Sequence, residues 1–408
     1  MQPKPHATYR TSSKALPLSG IRVLDLTRIL SGPFCTMKLG DMGAEVIKIE
    51  QPGSGDETRK WGPPFIEGES TYFLSVNRNK KSITLDLKSV EGRKILAKLI
   101  KHCDVLVENF RAGVMRKFGC DFTALKKINP RIMYCSISGY GQTSSRSHQP
   151  SYDLIVQGES GLMDMTGFPE GSPTKVGISL ADVNAGNIAF EGILLALLQR
   201  EKTGKGQYVD ISLLDGLLSL FTYQSQIALS SNRGVTRKGN RHPSITPYET
   251  YKTRDGYINV AVGSETHWKS FCKALHRDEL LRDRRFMTNS KRIEHREALE
   301  RILIPILKTR RNVEWIKALS RVDVPVGRIN SLKEALELQT IKERNIIQSL
   351  NHVVIGTLKM IGNPIKLSGS SKHCLIPPPL LGQHTVQVLK QLGYSANKIQ
   401  SLREDNVI

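Results

Sequence analysis

Asp182 is the residue whose type and setting could do chemistry. It stands in Leu180-Ala181-Asp182-Val183-Asn184-Ala185-Gly186, ahead of a stretch in which Ile188, Ala189, Ile193, Leu194, Ala196, Leu197 and Leu198 recur at helical spacing. Gly204 and Gly206 stop that run, which predicts a buried helix with a polar start. An aspartate there is first of all an N-cap, worth about 1 kcal/mol to the helix. The preceding Val176 to Leu180 reads as a short strand or stiff connector, so the carboxylate would sit among free backbone N–H groups at the positive end of a dipole. Such a place keeps a carboxylate ionised and could hold an oxyanion. Position leaves cap and nucleophile both open.

The elements that must position it begin at residue 20. Ile21 to Leu26 predicts a strand, Gly32 to Gly40 a helix opened by Gly32-Pro33, and Ala44 to Ile49 a second strand. Ser82 to Leu87, Asp104 to Glu108 and Arg131 to Ser136 continue the strands, with Val90 to His102 and Val114 to Gly119 between them. This is the β-α-β alternation of a doubly wound, Rossmann-like parallel sheet. No G-x-G-x-x-G follows the first strand, which argues against a nicotinamide or flavin site of the usual kind; the turn reads Thr27-Arg28-Ile29-Leu30-Ser31-Gly32-Pro33. Near 226 the pattern changes. A basic loop, Asn232 to Pro243, leads to Tyr248 to Tyr251 and Tyr257 to Val262 across Arg254-Asp255-Gly256, then to a helical block from Glu265 to about Leu319. The expected organisation is a basic tail at 1–19, a large domain at 20–225, a smaller α+β domain at 226–330, and a return segment at 331–408 that completes the large domain.

Composition sets limits. With 408 residues and 39% hydrophobic content the chain can build two domains and a large core. No apolar run is read as long enough to cross a bilayer and no secretory signal is evident, so the expectation is no membrane and no secretion. The six cysteines, Cys35, Cys103, Cys120, Cys135, Cys272 and Cys374, form no C-x-x-C pair and no metal spacing. They read as reduced core residues, and no metal is expected. A net charge of +21 invites a nucleic-acid reading. The charge is spread, however, no nucleic-acid motif accompanies it, and aromatics make up 6%, so no nucleic-acid partner is expected. The 1–19 segment carries Lys4, Arg10 and Lys14 and no acidic residue, the composition of a mitochondrial transit segment, although Pro3, Pro5 and Pro17 weaken a helix there.

Several stretches together resemble one family. Asn77-Arg78-Asn79-Lys80-Lys81-Ser82-Ile83 before Leu85-Asp86-Leu87-Lys88, Val107-Glu108-Asn109-Phe110, Ser138-Gly139-Tyr140-Gly141, Lys202-Thr203-Gly204-Lys205-Gly206-Gln207 and Pro378-Pro379-Leu380-Leu381-Gly382-Gln383-His384-Thr385 look like those of the class III CoA-transferases. The resemblance runs from residue 20 to the end. Gly62-Pro63-Pro64-Phe65 and Ser70-Thr71-Tyr72 are similar to the branch that moves CoA from succinyl-CoA to dicarboxylic acids such as glutarate. The resemblance implies an interlocked homodimer, a CoA thioester as substrate with no tightly bound cofactor, and a nucleophilic aspartate at Asp182. With a solution pKa of about 3.9, Asp182 would be ionised at neutral pH and would need no general base.

The resemblance also implies roles for further residues. Asp153, in Ser151-Tyr152-Asp153-Leu154, matches an acidic position near the reacting centre, with a helix cap for Leu154 to Leu162 as the alternative. The α-methylacyl-CoA racemases share the fold but place a histidine where Tyr152 stands, and a phenol with a pKa near 10 is a poor proton shuttle. Family contacts to CoA fall on Leu30, Ser31, Leu85, Asp86, Leu87, Lys88, Asn109, Phe110, Arg111 and Lys117, while Gln51 replaces a CoA-binding arginine. Lys88, Arg111 and Lys117 could meet phosphates and Phe110 the adenine. In place of a glycine-rich loop over the site, this chain has Arg237-Lys238-Gly239-Asn240-Arg241-His242-Pro243. Arg241, with Arg237 or His242 as alternatives, is expected to hold the free carboxylate of a dicarboxylate, unless the loop is merely a solvated basic surface.

Overall fold

In the computed structural model the described residues are 15–231, 234–370 and 375–408. Most of the tail read as a transit segment, two residues of the basic loop and Cys374 lie outside them. Runs of branched residues build the first strands, β1 (Arg22–Asp25) and β2 (Glu45–Glu50). A two-residue hairpin, β3 (Phe65–Ile66) with β4 (Glu69–Ser70), interrupts the series. The sheet then continues with β5 (Lys80–Thr84), β6 (Val105–Glu108), β7 (Met133–Ser138) and β8 (Tyr208–Ser212). The six long strands are all parallel in the order β5-β2-β1-β6-β7-β8. That is the doubly wound order, and it reverses direction between β1 and β6, where such sheets open a crevice at their carboxyl ends.

Burial on both faces explains the apolar strands. Val23 and Leu24 of β1 are fully buried, and Leu24 pairs in register with Ile47 and Leu106. One face is covered by Ile95, Leu96 and Leu99 of the helix Val90–Ile100, joined by Val388, Leu389, Ile399 and Leu402 of the two C-terminal helices. The return segment thus completes this core. β5 begins at Lys80, two residues before the strand expected from sequence, because Lys80 is a buried charge drawn to Asp25 rather than a loop residue.

The chain forms two compact units, 15–160 with 176–226 and 345–408, and 161–175 with 227–344. The second holds an antiparallel sheet of β9 (Tyr248–Lys252), β10 (Tyr257–Ala261) and β11 (Val326–Arg328). Trp268, Phe271, Phe286 and Trp315 fill its core, and the Trp315 indole N–H donates to the Leu307 carbonyl at 2.8 Å. In the first unit a hairpin of β12 (Ile347–His352) and β13 (Gly356–Ile361) packs Leu350 and Leu358 on Leu74.

Two further expectations change. The helix Leu180–Thr203 is, by length and composition, apolar enough to cross a membrane, contrary to the reading that no run was long enough. It packs instead against the helix Ser31–Asp41 and against β7 and β8. Val176 to Leu180 forms no strand. The five described cysteines are free and buried, and burial pushes their thiols up, Cys35 and Cys272 to about 12, so none is a ready nucleophile.

Candidate active site

Asp182 is not the cap of its helix. The helix starts at Leu180, Ser179 occupies the cap position without a side-chain bond, and Asp182 lies in the first turn. The capping is done from elsewhere in the chain: one oxygen of Asp153 accepts the Ala181 N–H at 2.8 Å. The other accepts from the Gln157 amide at 2.7 Å, and Gln157 in turn accepts the Val176 N–H and donates to the Ile178 carbonyl. Asp153 opens the helix Asp153–Glu159, so Gln157 stands one turn along on the same face. Asp153 therefore ties together the connector and the helix that carry Asp182. Its expected alternative, a cap for its own helix, does not occur, because Tyr152 holds that cap position and Asp153 faces the next element.

The electrostatics of Asp182 correct a second expectation. Burial and the neighbouring Asp153 carboxylate push it up to about 7, against a hydrogen bond from Ser31 that lowers it. Its basicity is therefore raised toward neutrality above that of an exposed aspartate. Nor are all first-turn N–H groups free, since Leu180 donates to the Ile178 carbonyl and Ala181 to Asp153. Tyr72 also faces this pair: burial, Asp182 and Asp153 push its phenol up to about 12, so it stays a neutral donor. No role for Tyr72 was read from the sequence, although it stands in one of the stretches that carried the resemblance. Tyr152, at the racemase histidine position, is 59% exposed.

Ser31 reaches Asp182 because two helices approach closely at Gly186. A Cβ there would lie 2.6 Å from the Ser31 carbonyl oxygen, so only glycine permits this crossing. Ser31 itself follows a turn held by its backbone. Lys48 donates to the Thr27 carbonyl at 2.7 Å, and the Asn109 amide accepts from Arg28 N–H at 2.8 Å while donating to the Arg28 carbonyl at 2.7 Å. Asp56 accepts the Ile29 N–H.

That turn borders a cleft of about 770 Å³ at the crevice between β1 and β6. Leu85, Asp86, Leu87, Lys88, Phe110 and Arg111 line it, as does Gln51. Phe110 offers one face to the Arg28 guanidinium, 4.9 Å from the ring centre. Of the other residues expected to touch CoA, Ser31 is buried on Asp182, Asn109 is committed to Arg28, Leu30 precedes the helix Ser31–Asp41, and Lys117 is exposed on the short helix Val114–Lys117. Trp61 lines the cleft and meets Tyr72 edge-on at 5.1 Å, and Tyr72 in turn feels the charge of both carboxylates.

The basic loop lies in the second unit. Arg241 donates to Glu300 at 2.5 Å and reaches Glu249 at 3.4 Å. Burial and Glu249 push Glu300 up to about 7, while Arg241 and Arg296 oppose the rise. Arg237 reaches Asp164 at 3.3 Å through one terminal nitrogen, while its buried Nε has no hydrogen-bond partner among the described residues. Both arginines line a cavity of about 430 Å³ with Lys238 and Arg296. His242 accepts from Ser244 N–H, and burial and Arg296 hold its ring below the ordinary histidine value.

The profile of CoA-transferase family III matches residues 18–385. Succinyl-CoA:glutarate CoA-transferase of Mus musculus is 42% identical over 393 residues, covering 96% of this chain and 90% of its own. Acetyl-CoA:oxalate CoA-transferase of Acetobacter aceti is 41% identical, covering 86% and 90%. Among solved structures, a CAIB/BAIF family protein from Brucella suis superposes with a TM-score of 0.84 at 36% identity, covering 93% of this chain and all of that one.

Proposed function

The chain belongs to CoA-transferase family III, and from that premise we propose that it moves CoA from succinyl-CoA to a dicarboxylate such as glutarate, with Asp182 as the covalent carrier. The observation that supports this most is the setting of Asp182: a half-buried carboxylate whose basicity is raised by burial and a second carboxylate, in the unit that also carries a cleft of about 770 Å³. A nearby carboxylate and burial raise the basicity of Asp182, which strengthens it as a nucleophile once ionised.

The steps balance as an exchange. The Asp182 carboxylate attacks the succinyl thioester carbonyl, and the C–S bond breaks to release CoA thiolate and leave an aspartyl succinyl anhydride. The thiolate attacks the aspartyl carbonyl, expelling succinate and forming an aspartyl-CoA thioester. The acceptor carboxylate then attacks that thioester, breaking its C–S bond to release CoA thiolate and leave an aspartyl glutaryl anhydride, and the thiolate attacks the glutaryl carbonyl, giving glutaryl-CoA and expelling the Asp182 carboxylate. Tyr72 and Ser31, the two hydroxyls coupled to Asp182, are the proposed donors to the developing oxyanion charge.

In this reading CoA lies along Leu85–Lys88 with Phe110 and Arg111, and no tightly bound cofactor takes part. Between the two arginines of the basic loop, Arg237 has more donor capacity left for a carboxylate, because Arg241 already answers two glutamates. A homodimer fits the apolar surface of the first unit, where Leu195, Leu198, Leu218 and Leu220 are 42–67% exposed. A mitochondrial location fits the basic N-terminal composition.

The test is incubation with succinyl-CoA followed by intact mass and hydroxylamine. An adduct on Asp182, trapped as a hydroxamate and absent from Asp182→Asn, is expected. Product mass after offering glutarate, oxalate and other acids ranks the acceptors, and exchange of an α-proton with solvent in place of transfer would point to the racemase reading. Sedimentation tests the dimer.

A further inference from the structure

Ile29 has a φ of +70°. For a residue branched at Cβ this is a strained conformation, seldom adopted unless the surroundings enforce it. The enforcing groups are on both sides of the turn. Asp56 accepts the Ile29 N–H through both carboxylate oxygens, at 3.2 and 3.3 Å. Asp56 is itself fixed: it is 1% exposed, pairs with the Lys48 ammonium at 2.9 Å and accepts from the N–H and hydroxyl of Thr58. Lys48 is also fully buried, and its remaining reach goes to the Thr27 carbonyl. The pair therefore grips the turn at residue 27 and at residue 29. Two residues later comes Ser31, whose carbonyl lies against Gly186 of the helix that carries Asp182 and whose hydroxyl is near enough to hold the Asp182 carboxyl down.

We propose that the buried Lys48–Asp56 pair is a positioning device for the transfer reaction, holding Ile29 in its left-handed conformation so that Ser31 is presented to Asp182. This rests on Asp182 being the nucleophile. Neither Lys48 nor Asp56 touches the reacting carboxylate; they act through the turn. A burial cost for two charges is accepted here, and purely structural stability is a poor reason for it, since such pairs often break even against apolar replacements. A rigid turn is a better one, because a shift of about 1 Å at a reacting group can cost about 10²-fold in rate.

The experiment is kinetic. Asp56→Asn keeps the shape but loses the charge and one acceptor oxygen. It should lower kcat about 10- to 100-fold while KM for succinyl-CoA changes less than about threefold. Ser31→Ala should lower kcat as well, and the double variant should be no slower than the slower single one, because both act through the same contact. Ile29→Gly in the Asp56→Asn background should recover most of the lost rate, since glycine holds a positive φ without help. If Asp56→Asn does not fold, Asn109→Ala loosens the same turn from its more exposed side and should show the same split and the same non-additivity with Ser31→Ala. Wild-type kcat in the Asp56 variant, additive losses, or no recovery by Ile29→Gly would overturn the proposal. An active Asp182→Asn would overturn the nucleophile reading instead, so the two failures are distinct.

Discussion

Two carboxylate sites in the first unit, one fully buried and one half-buried, have opposite electrostatics. At the end of β1, Asp25 meets the Lys80 ammonium at 2.9 Å and accepts from Thr27 and Thr36, while Lys80 also donates to the Pro33 carbonyl and Asn77. Burial opposes the charge on Asp25, but Lys80 and Lys48 outweigh it and hold the carboxyl well below its usual range. At the start of the long helix, Asp182 is raised by burial and by Asp153, and only Ser31 opposes the rise. The first site matches every charge and so fastens β1, β2 and β5 to the turn after them. The second leaves a carboxylate poorly satisfied, which costs stability and keeps a base ready to react.

The largest contrast should come from removing the two acids. Asp182→Asn should reduce kcat by at least about 10³-fold, yet raise the melting temperature by about 2–4 °C. The sign follows from linkage. The folded pKa lies above the unfolded value, so the contribution of Asp182 to stability is fully present below about pH 4 and is lost as pH rises through about 7. Asp25→Ala should do the reverse, leaving Lys80 buried and unpaired at a cost of about 3–5 kcal/mol in urea unfolding. Equal stability changes in the two variants would erase the distinction drawn here.

A finer break in the comparison is Asp153→Asn. Its amide oxygen can still accept the Ala181 N–H, so the fold should hold, but the charge that raises Asp182 disappears. Wild-type kcat/KM should rise as pH passes through about 7, and the variant's acid limb should move to lower pH in the same profile. An unmoved limb would mean that burial alone sets the basicity of Asp182. A smaller effect belongs to the second unit, where Arg237→Ala should raise KM for glutarate about tenfold and Arg241→Ala less. The reverse order would return the clamp to the arginine that already faces Glu249 and Glu300.

Much of this was legible in the residues. The alternation of branched runs with amphipathic ones gave the parallel sheet, and the absence of a dinucleotide fingerprint directed attention to other chemistry. Leu85 to Lys88 with Phe110 and Arg111 were named for CoA and do line one cleft. Asn109 and Ser31 were named for the same ligand, and the structure commits their side chains to Arg28 and to Asp182. Spacing along a chain cannot distinguish a residue that lines a cleft from one that braces its wall. Tyr72 had no periodic signal because the carboxylates that act on it, Asp153 and Asp182, are more than 80 residues away in sequence.

The sequence by itself determined the family, the parallel α/β core and the presence of an aspartate at the start of a buried helix. Local spacing and motif order suffice for these, since strand and helix periods are properties of neighbouring residues. The tertiary structure alone decided what that aspartate is. It relieved Asp182 of capping by bringing Asp153 to Ala181, set Ser31 and Tyr72 around it, and supplied no cation to match its charge among the groups that shift it. A carboxylate's basicity depends on burial and on charges a few ångströms away in space, and only the folded chain fixes those distances.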